Sequence, residues 1–200
     1  MPLTCGLLIV RNERNNDQSK AKEDFFNGVM NIFRYCPMCG KQLEGEYVAG
    51  EKFPYCPEGH YTYYPSQTVG AAAILLLDGK LLLEQRAIEP GYGRWGLPGG
   101  MAEPDEEIEE CVIREFLEET GLEIEIVRLL EVRGGHKVCG IFYEAEFVGG
   151  TLKKSEESLA LKAFSLDEIP FQQFAFKRHA EVVRNWLAER KESVKRVAKE

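Results

Sequence analysis

Residues 99–122 read GGMAEPDEEIEECVIREFLEETGL, and nine of these residues are acidic. Placed at 100° per residue, Ile108, Cys111 and Val112 fall on one helical face, the side that packs, and Glu115, Glu118 and Glu119 continue it. A helix that only packs would continue with Leu or Val, because an uncompensated buried carboxylate costs several kcal/mol. Two carboxylates about 4 Å apart repel by about 4 kcal/mol at an effective dielectric near 20. A cation removes that cost. Carboxylates at i, i+3 and i+4 aim oxygen donors at one point, and oxygen donors suit a hard ion such as Mg²⁺ or Mn²⁺ better than Zn²⁺. Arg114 stands where it can pair with a helix carboxylate. The preceding RWGLPGG turn lets backbone pass close to an ion or phosphate, which makes Gly99 a candidate for substrate contact.

The chain around this stretch has an α/β pattern. VGAAAILLL, the turn Asp78-Gly79 and LLLEQR predict a hairpin, with the turn supplying two positive-φ positions. EIEIVRLLEVRGG, KVCGIFYEAEFVGG and LALKAFSL predict three more strands. One helix is expected from about Pro104 to Thr120, closed by Gly121, and a second over about Lys177–Arg190, with Val182, Val183, Trp186 and Leu187 as its apolar stripe and a frayed charged end beyond. Residues 11–24 hold almost no apolar side chain and are expected to be mobile, with Met30 an alternative start.

Three of the six cysteines crowd beside a histidine in a short segment rich in Gly, Pro and Tyr. Cys36-Pro-Met-Cys39-Gly is a knuckle able to present two thiolates to one ion, and Cys56-Pro-Glu-Gly-His60 completes a Cys₃His set suited to structural zinc. A module this small gains its fold largely from the metal. Tyr47, Phe53, Tyr55, Tyr61, Tyr63 and Tyr64 are expected to form its makeshift core, with stacking on a base or flavin ring as the alternative. Cys111 and Cys139 are expected to be buried and inert.

Lys plus Arg number 25 against 33 Asp plus Glu, a formal charge of −8 that disfavours non-specific attraction to nucleic acid or anionic lipid. No apolar run reaches the ~18 to 20 residues needed to span a bilayer. A cytoplasmic location is expected.

Gly100, five residues, Glu106, seven residues and REFLEETGL from Arg114 to Leu122 resemble the Nudix box of the Nudix hydrolase superfamily, with every defining position filled. The resemblance implies an α/β/α sandwich with a mixed sheet over residues 65–200, behind a zinc ribbon at 35–64 and an N-terminal extension at 1–34. It implies a pyrophosphatase acting on a nucleoside diphosphate linked to another group. By that similarity Glu115, Glu118 and Glu119 ligate Mg²⁺ or Mn²⁺, Gly100 offers its carbonyl, Glu106 organises the site and Arg114 orients it. The catalytic base is Glu118 or comes from Glu156 or Glu157 in KKSEESLALKAF, and Arg86 is a candidate phosphate contact or ion-pair partner. Ribbon plus Nudix domain resembles the NADH, ADP-ribose and FAD pyrophosphatase subgroup, although no SQPWPFPxS array follows Leu122 and Lys137 stands where one ADP-ribose group has proline. The expected partner is a small-molecule nucleotide, with a homodimer admitted and neither membrane nor nucleic acid expected. The alternative is a nucleotide sensor, or an enzyme acting on RNA caps, that uses the ribbon as a binding module.

Overall fold

The computed structural model describes residues 34–48, 51–64, 66–134 and 137–197. The expectations for residues 11–24, and for a start at Met30, lie outside them. The chain divides into two compact units, Met1–Pro65 and Ser66–Glu200.

The first unit carries an antiparallel pair, β1 (Glu44–Val48) and β2 (Glu51–Tyr55), with a cysteine knuckle before β1 and another after β2. The knuckles repeat one pattern of hydrogen bonds: Cys36 N–H donates to Lys41 O at 2.7 Å, and Cys56 N–H donates to Tyr61 O at 2.7 Å. Gly40 (φ 72°) and Gly59 (φ 75°) supply the left-handed turns. Cys36, Leu43 and Cys56 form the buried core, with Tyr61 packed against it. The aromatics contribute less than expected. Tyr64 is 61% exposed and packs on Phe53, because in so small a unit the sulfur cluster itself occupies the centre.

The second unit is built on β3 (Thr68–Leu77), whose two faces are both buried and face opposite ways. Ala72 and Ile74 point into one core, while Ala71, Ala73 and Leu75 point into another, the period-2 pattern of a strand covered on both sides. Asp78 (φ 50°) and Gly79 (φ 75°) turn β3 into β4 (Lys80–Arg86), as the sequence predicts. β4 pairs with β3 only at Leu76↔Leu81 and Leu77↔Lys80 before leaving to pair with two further strands, β5 (Trp95–Gly96) and β9 (Ser158–Phe164). The long β7 (Leu122–Arg133) and β8 (Val138–Gly150) form an antiparallel pair, and β8 runs parallel to β3 from Thr68 to Leu75. β6 (Gly99–Met101) pairs with β3 across Gly70–Ala72.

Helix α1 (Ile108–Thr120) covers one core with Cys111, Val112 and Phe116. Helix α2 (Lys177–Val197) covers the other with Val182, Val183, Trp186 and Leu187. The result is the expected α/β/α arrangement around a mixed sheet. Two expected helix bounds are corrected. α1 starts at Ile108 rather than Pro104, because Asp105 adopts φ 66° and Glu106 folds back to accept the Glu103 N–H at 3.0 Å, closing a turn ahead of the helix. α2 continues beyond Arg190 through Val197, since KESVKRV is composed largely of residues that favour helix. Among the described residues no helix is long and apolar enough to cross a membrane.

Candidate active site

The glycine loop and the acidic end of α1 lie directly against each other. Gly99 takes φ 142°, and a Cβ there would fall 2.2 Å from Ala71 O, so only glycine lets β6 lie this close to β3. A Cβ on Gly100 would fall 2.2 Å from the Glu115 carboxyl carbon. Gly99 N–H donates to Glu119 Oε2 at 2.7 Å. Two successive glycines therefore bring backbone into contact with two helix carboxylates.

The three helix glutamates sit in different environments. Glu119 is 8% exposed, and burial, then the neighbouring Glu84 charge, pushes its carboxyl up to about 9. Glu115 is also raised by burial, against hydrogen bonds from Arg114. The Glu118 side chain is 61% exposed and meets Arg114 Nη1 at 3.4 Å. Arg114 forks onto Glu106 at 2.7 and 3.0 Å and reaches Glu115 at 3.0 Å. That fork, with the Glu103 N–H, holds the Glu106 carboxyl down at about 2. Arg114 is correspondingly raised and stays charged. Cys111 beneath is buried, and its thiol is pushed up to about 11, which keeps it inert.

Gly99, Gly100, Arg114, Glu115, Glu118 and Glu119 line one cleft of about 1000 Å³. Its walls also carry Glu157 and Arg86, but not Glu156, which separates the two loop glutamates. Arg86 donates to Pro90 O at 2.9 Å and lies 5.2 Å from the Phe176 ring centre, so it enters the cleft as a cation held against an aromatic face. Lys137, Lys177 and Arg178 line the cleft as well.

Three further polar residues belong to this site: Glu84 and Ser158, both buried, and His179, half-buried on the cleft wall. Glu84 is 2% exposed, raised by burial, and accepts from Ser158 Oγ at 2.7 Å. Its signal was available: in Leu81-Leu82-Leu83-Glu84 the alternation puts Glu84 on the Leu82 face, toward α1. Ser158, 1% exposed, gave no such signal. His179 is held down at about 4 by burial, then by Arg86, and its Nδ1 accepts the Leu97 N–H at 3.2 Å.

In the first unit Cys36, Cys39, Cys56 and His60 converge, with ligand atoms within 4.8 Å of one another. The Cys39 and Cys56 sulfurs are 3.6 Å apart, close to the ~3.8 Å edge of a tetrahedron with metal–sulfur bonds of about 2.3 Å. The donor set is compatible with zinc.

The sequence matches the NUDIX domain family over residues 67–187, well over half of the chain. It is 33% identical over 134 residues to an ADP-ribose pyrophosphatase of Methanocaldococcus jannaschii, covering 64% of this chain and 77% of that protein. It is 29% identical to the NAD-capped RNA hydrolase NudC of Stutzerimonas stutzeri over 141 residues, covering 68% of this chain but half of that relative's length. The fold matches the crystal structure of a NUDIX hydrolase from Nitrosomonas europaea with a TM-score of 0.73 and 28% identity, covering 80% of this chain and 93% of that one. With its glycine loop, Arg114 fork and converging carboxylates set in that fold, the chain belongs to the Nudix hydrolase family, as an enzyme of the Nudix pyrophosphatase class.

Proposed function

We propose that the second unit hydrolyses the diphosphate linkage of a nucleoside diphosphate joined to a second group, of the ADP-ribose, NADH or FAD type, and releases a mononucleotide. The observation that carries this reading is the buried Glu119 beside Glu115, both pressed against the Gly99-Gly100 backbone. Carboxylates this buried fit a hard divalent ion, and Glu115, Glu118, Glu119 and the Gly100 carbonyl would hold Mg²⁺ or Mn²⁺. Such an ion supplies positive charge for the diphosphate and for the departing oxygen.

The chain's own residues do the rest. Arg114 and Glu106 brace the carboxylates, and Gly99 holds Glu119 through its N–H. Arg86, already in the cleft, meets a phosphate oxygen. Glu157 takes a proton from the attacking water; the new bond forms to phosphorus, the bridging P–O bond breaks, and the leaving phosphate departs with the electron pair. Glu157 is favoured over Glu156 because it alone of the two lines the cleft. In the first unit, taken as a zinc ribbon over 35–64, Cys36, Cys39, Cys56 and His60 hold Zn²⁺. A small nucleotide is the expected partner, in the cytoplasm.

Incubation with ADP-ribose, NADH, NAD, FAD and oxidised dNTPs, each with Mg²⁺ and with Mn²⁺, tests the reading. AMP released from at least one of the ADP-linked compounds is expected; release from none, with turnover of oxidised dNTPs, would overturn it. A second reading, action on a nucleotide cap at an RNA end, draws on the NudC relative and on Lys137, Lys177 and Arg178 along the cleft. It predicts salt-dependent RNA binding.

A further inference from the structure

Glu84 and Ser158 are almost fully buried between β4 and β9, outside the Gly100–Leu122 motif. Ser158 has one hydroxyl proton, and it goes to Glu84 Oε1 at 2.7 Å. The 3.2 Å contact between Ser155 Oγ and Ser158 Oγ must then have Ser155 as the donor. With its own proton committed, Ser155 Oγ accepts the Glu157 N–H at 3.1 Å. With Glu84 ionised, the directions run one way along the whole path, from Glu157 N–H to Ser155, to Ser158, to a buried carboxylate. A chain of this kind that ends on a carboxylate is the stronger form of such a network.

The same segment is tied at its other contacts. Ala87 N–H donates to Glu157 O at 2.6 Å, so both backbone groups of Glu157 are held. Thr151, Lys153 and Ser155 donate their N–H groups to Gly121 O at 3.0 Å, Thr120 O at 2.8 Å and Glu119 O at 3.3 Å. The loop therefore caps the carbonyl end of the helix that carries the acidic cluster.

We propose that Glu84, Ser158 and Ser155 form a positioning relay that sets Glu157 over the cleft and registers it against the end of α1. The inference rests on the reading of Glu157 as proton acceptor. Glu84 and Ser158 lie outside the cleft lining and Ser155 stands beside Glu157 on its wall; all three act through Glu157.

The test combines activity with amide hydrogen exchange on the full chain. Ser158→Ala and Ser155→Ala should lower kcat about tenfold with KM changed less than about twofold, as a small misplacement of a reacting group does, while Ser155→Thr, which keeps the hydroxyl, restores most of it. In a Glu157→Gln background, Ser158→Ala should cost less than about twofold more, because the pair acts as a unit. The Glu157 amide should exchange at least about tenfold faster in Ser158→Ala, with Leu82 and Leu83 unchanged. Unaltered exchange at Glu157, or an equal loss of kcat in both backgrounds, overturns the relay. Full activity in Glu157→Gln would overturn instead the assignment of the proton acceptor, and the exchange result still decides the relay.

Discussion

Glu119→Gln tests the electrostatic argument where it is sharpest. The substitution removes a titrating group but keeps a carbonyl oxygen to accept the Gly99 N–H. In the wild type, burial and then the Glu84 charge hold the Glu119 carboxyl at about 9 rather than 4.5. A group raised in the folded state contributes its stability below the unfolded value and loses it as pH rises through the folded one. Above pH 4.5 the metal-free protein must take up a proton to fold, at about 1.4 kcal/mol per pH unit. Three units higher, near pH 7.5, this amounts to about 4 kcal/mol at most, and to about 2 kcal/mol if structural relaxation halves it. The Gln variant should therefore be more stable than wild type by about 2 to 4 kcal/mol in EDTA at pH 7.5, a rise in Tm of about 5 to 15 °C for a unit of this size, and should match it near pH 4.5. Urea unfolding followed by tryptophan fluorescence measures this in the second unit alone, because the chain's two tryptophans are Trp95 and Trp186. Mn²⁺ should then reverse the order, stabilising wild type and leaving the variant almost unmoved. A variant no more stable than wild type in EDTA at pH 7.5 would show that Glu119 is not proton-loaded in the metal-free fold, and one that gains as much from Mn²⁺ would show that Glu119 is not a metal ligand.

Three other outcomes are expected. His179 is neutral in the fold and held at about 4, so it should cost stability as pH falls from 6.5, by about 3 kcal/mol at most; a His179→Gln variant should show a shallower acid limb in urea melts. Gly100→Ala places a methyl where Glu115 lies, and should lower kcat/KM by about a hundredfold while tryptophan emission stays native. Purified protein should hold one zinc per chain by elemental analysis, and Cys39→Ser should lose it.

The parts of this fold that local chemistry determines were readable from the sequence. Asp78-Gly79 marks the β3–β4 turn, and the unbroken apolar run VGAAAILLL suits a strand inside a sheet, covered on both faces. The Gly100–Leu122 spacing identified the acidic end of α1. What escaped depends on contacts between distant residues. The start of α1 was misplaced because Glu106 is drawn into the Arg114 fork, eight residues along, and the chain before Ile108 turns to allow it. Ser158 is an ordinary serine until β9 lies beside β4 and sets it against Glu84, 74 residues away. Angular placement put Glu118 and Glu119 on one face, yet the first is exposed and the second buried, because the glycine loop covers only Glu119.

In the proposed function, the carboxylates at the end of α1 hold a divalent cation. Anomalous diffraction from crystals grown with Mn²⁺ and ADP-ribose tests it most directly. Manganese peaks are expected within coordination distance of Glu115, Glu118 and Glu119, lost in Glu118→Gln crystals together with AMP release. Full occupancy of wild-type crystals by nucleotide with no manganese at these glutamates would contradict it.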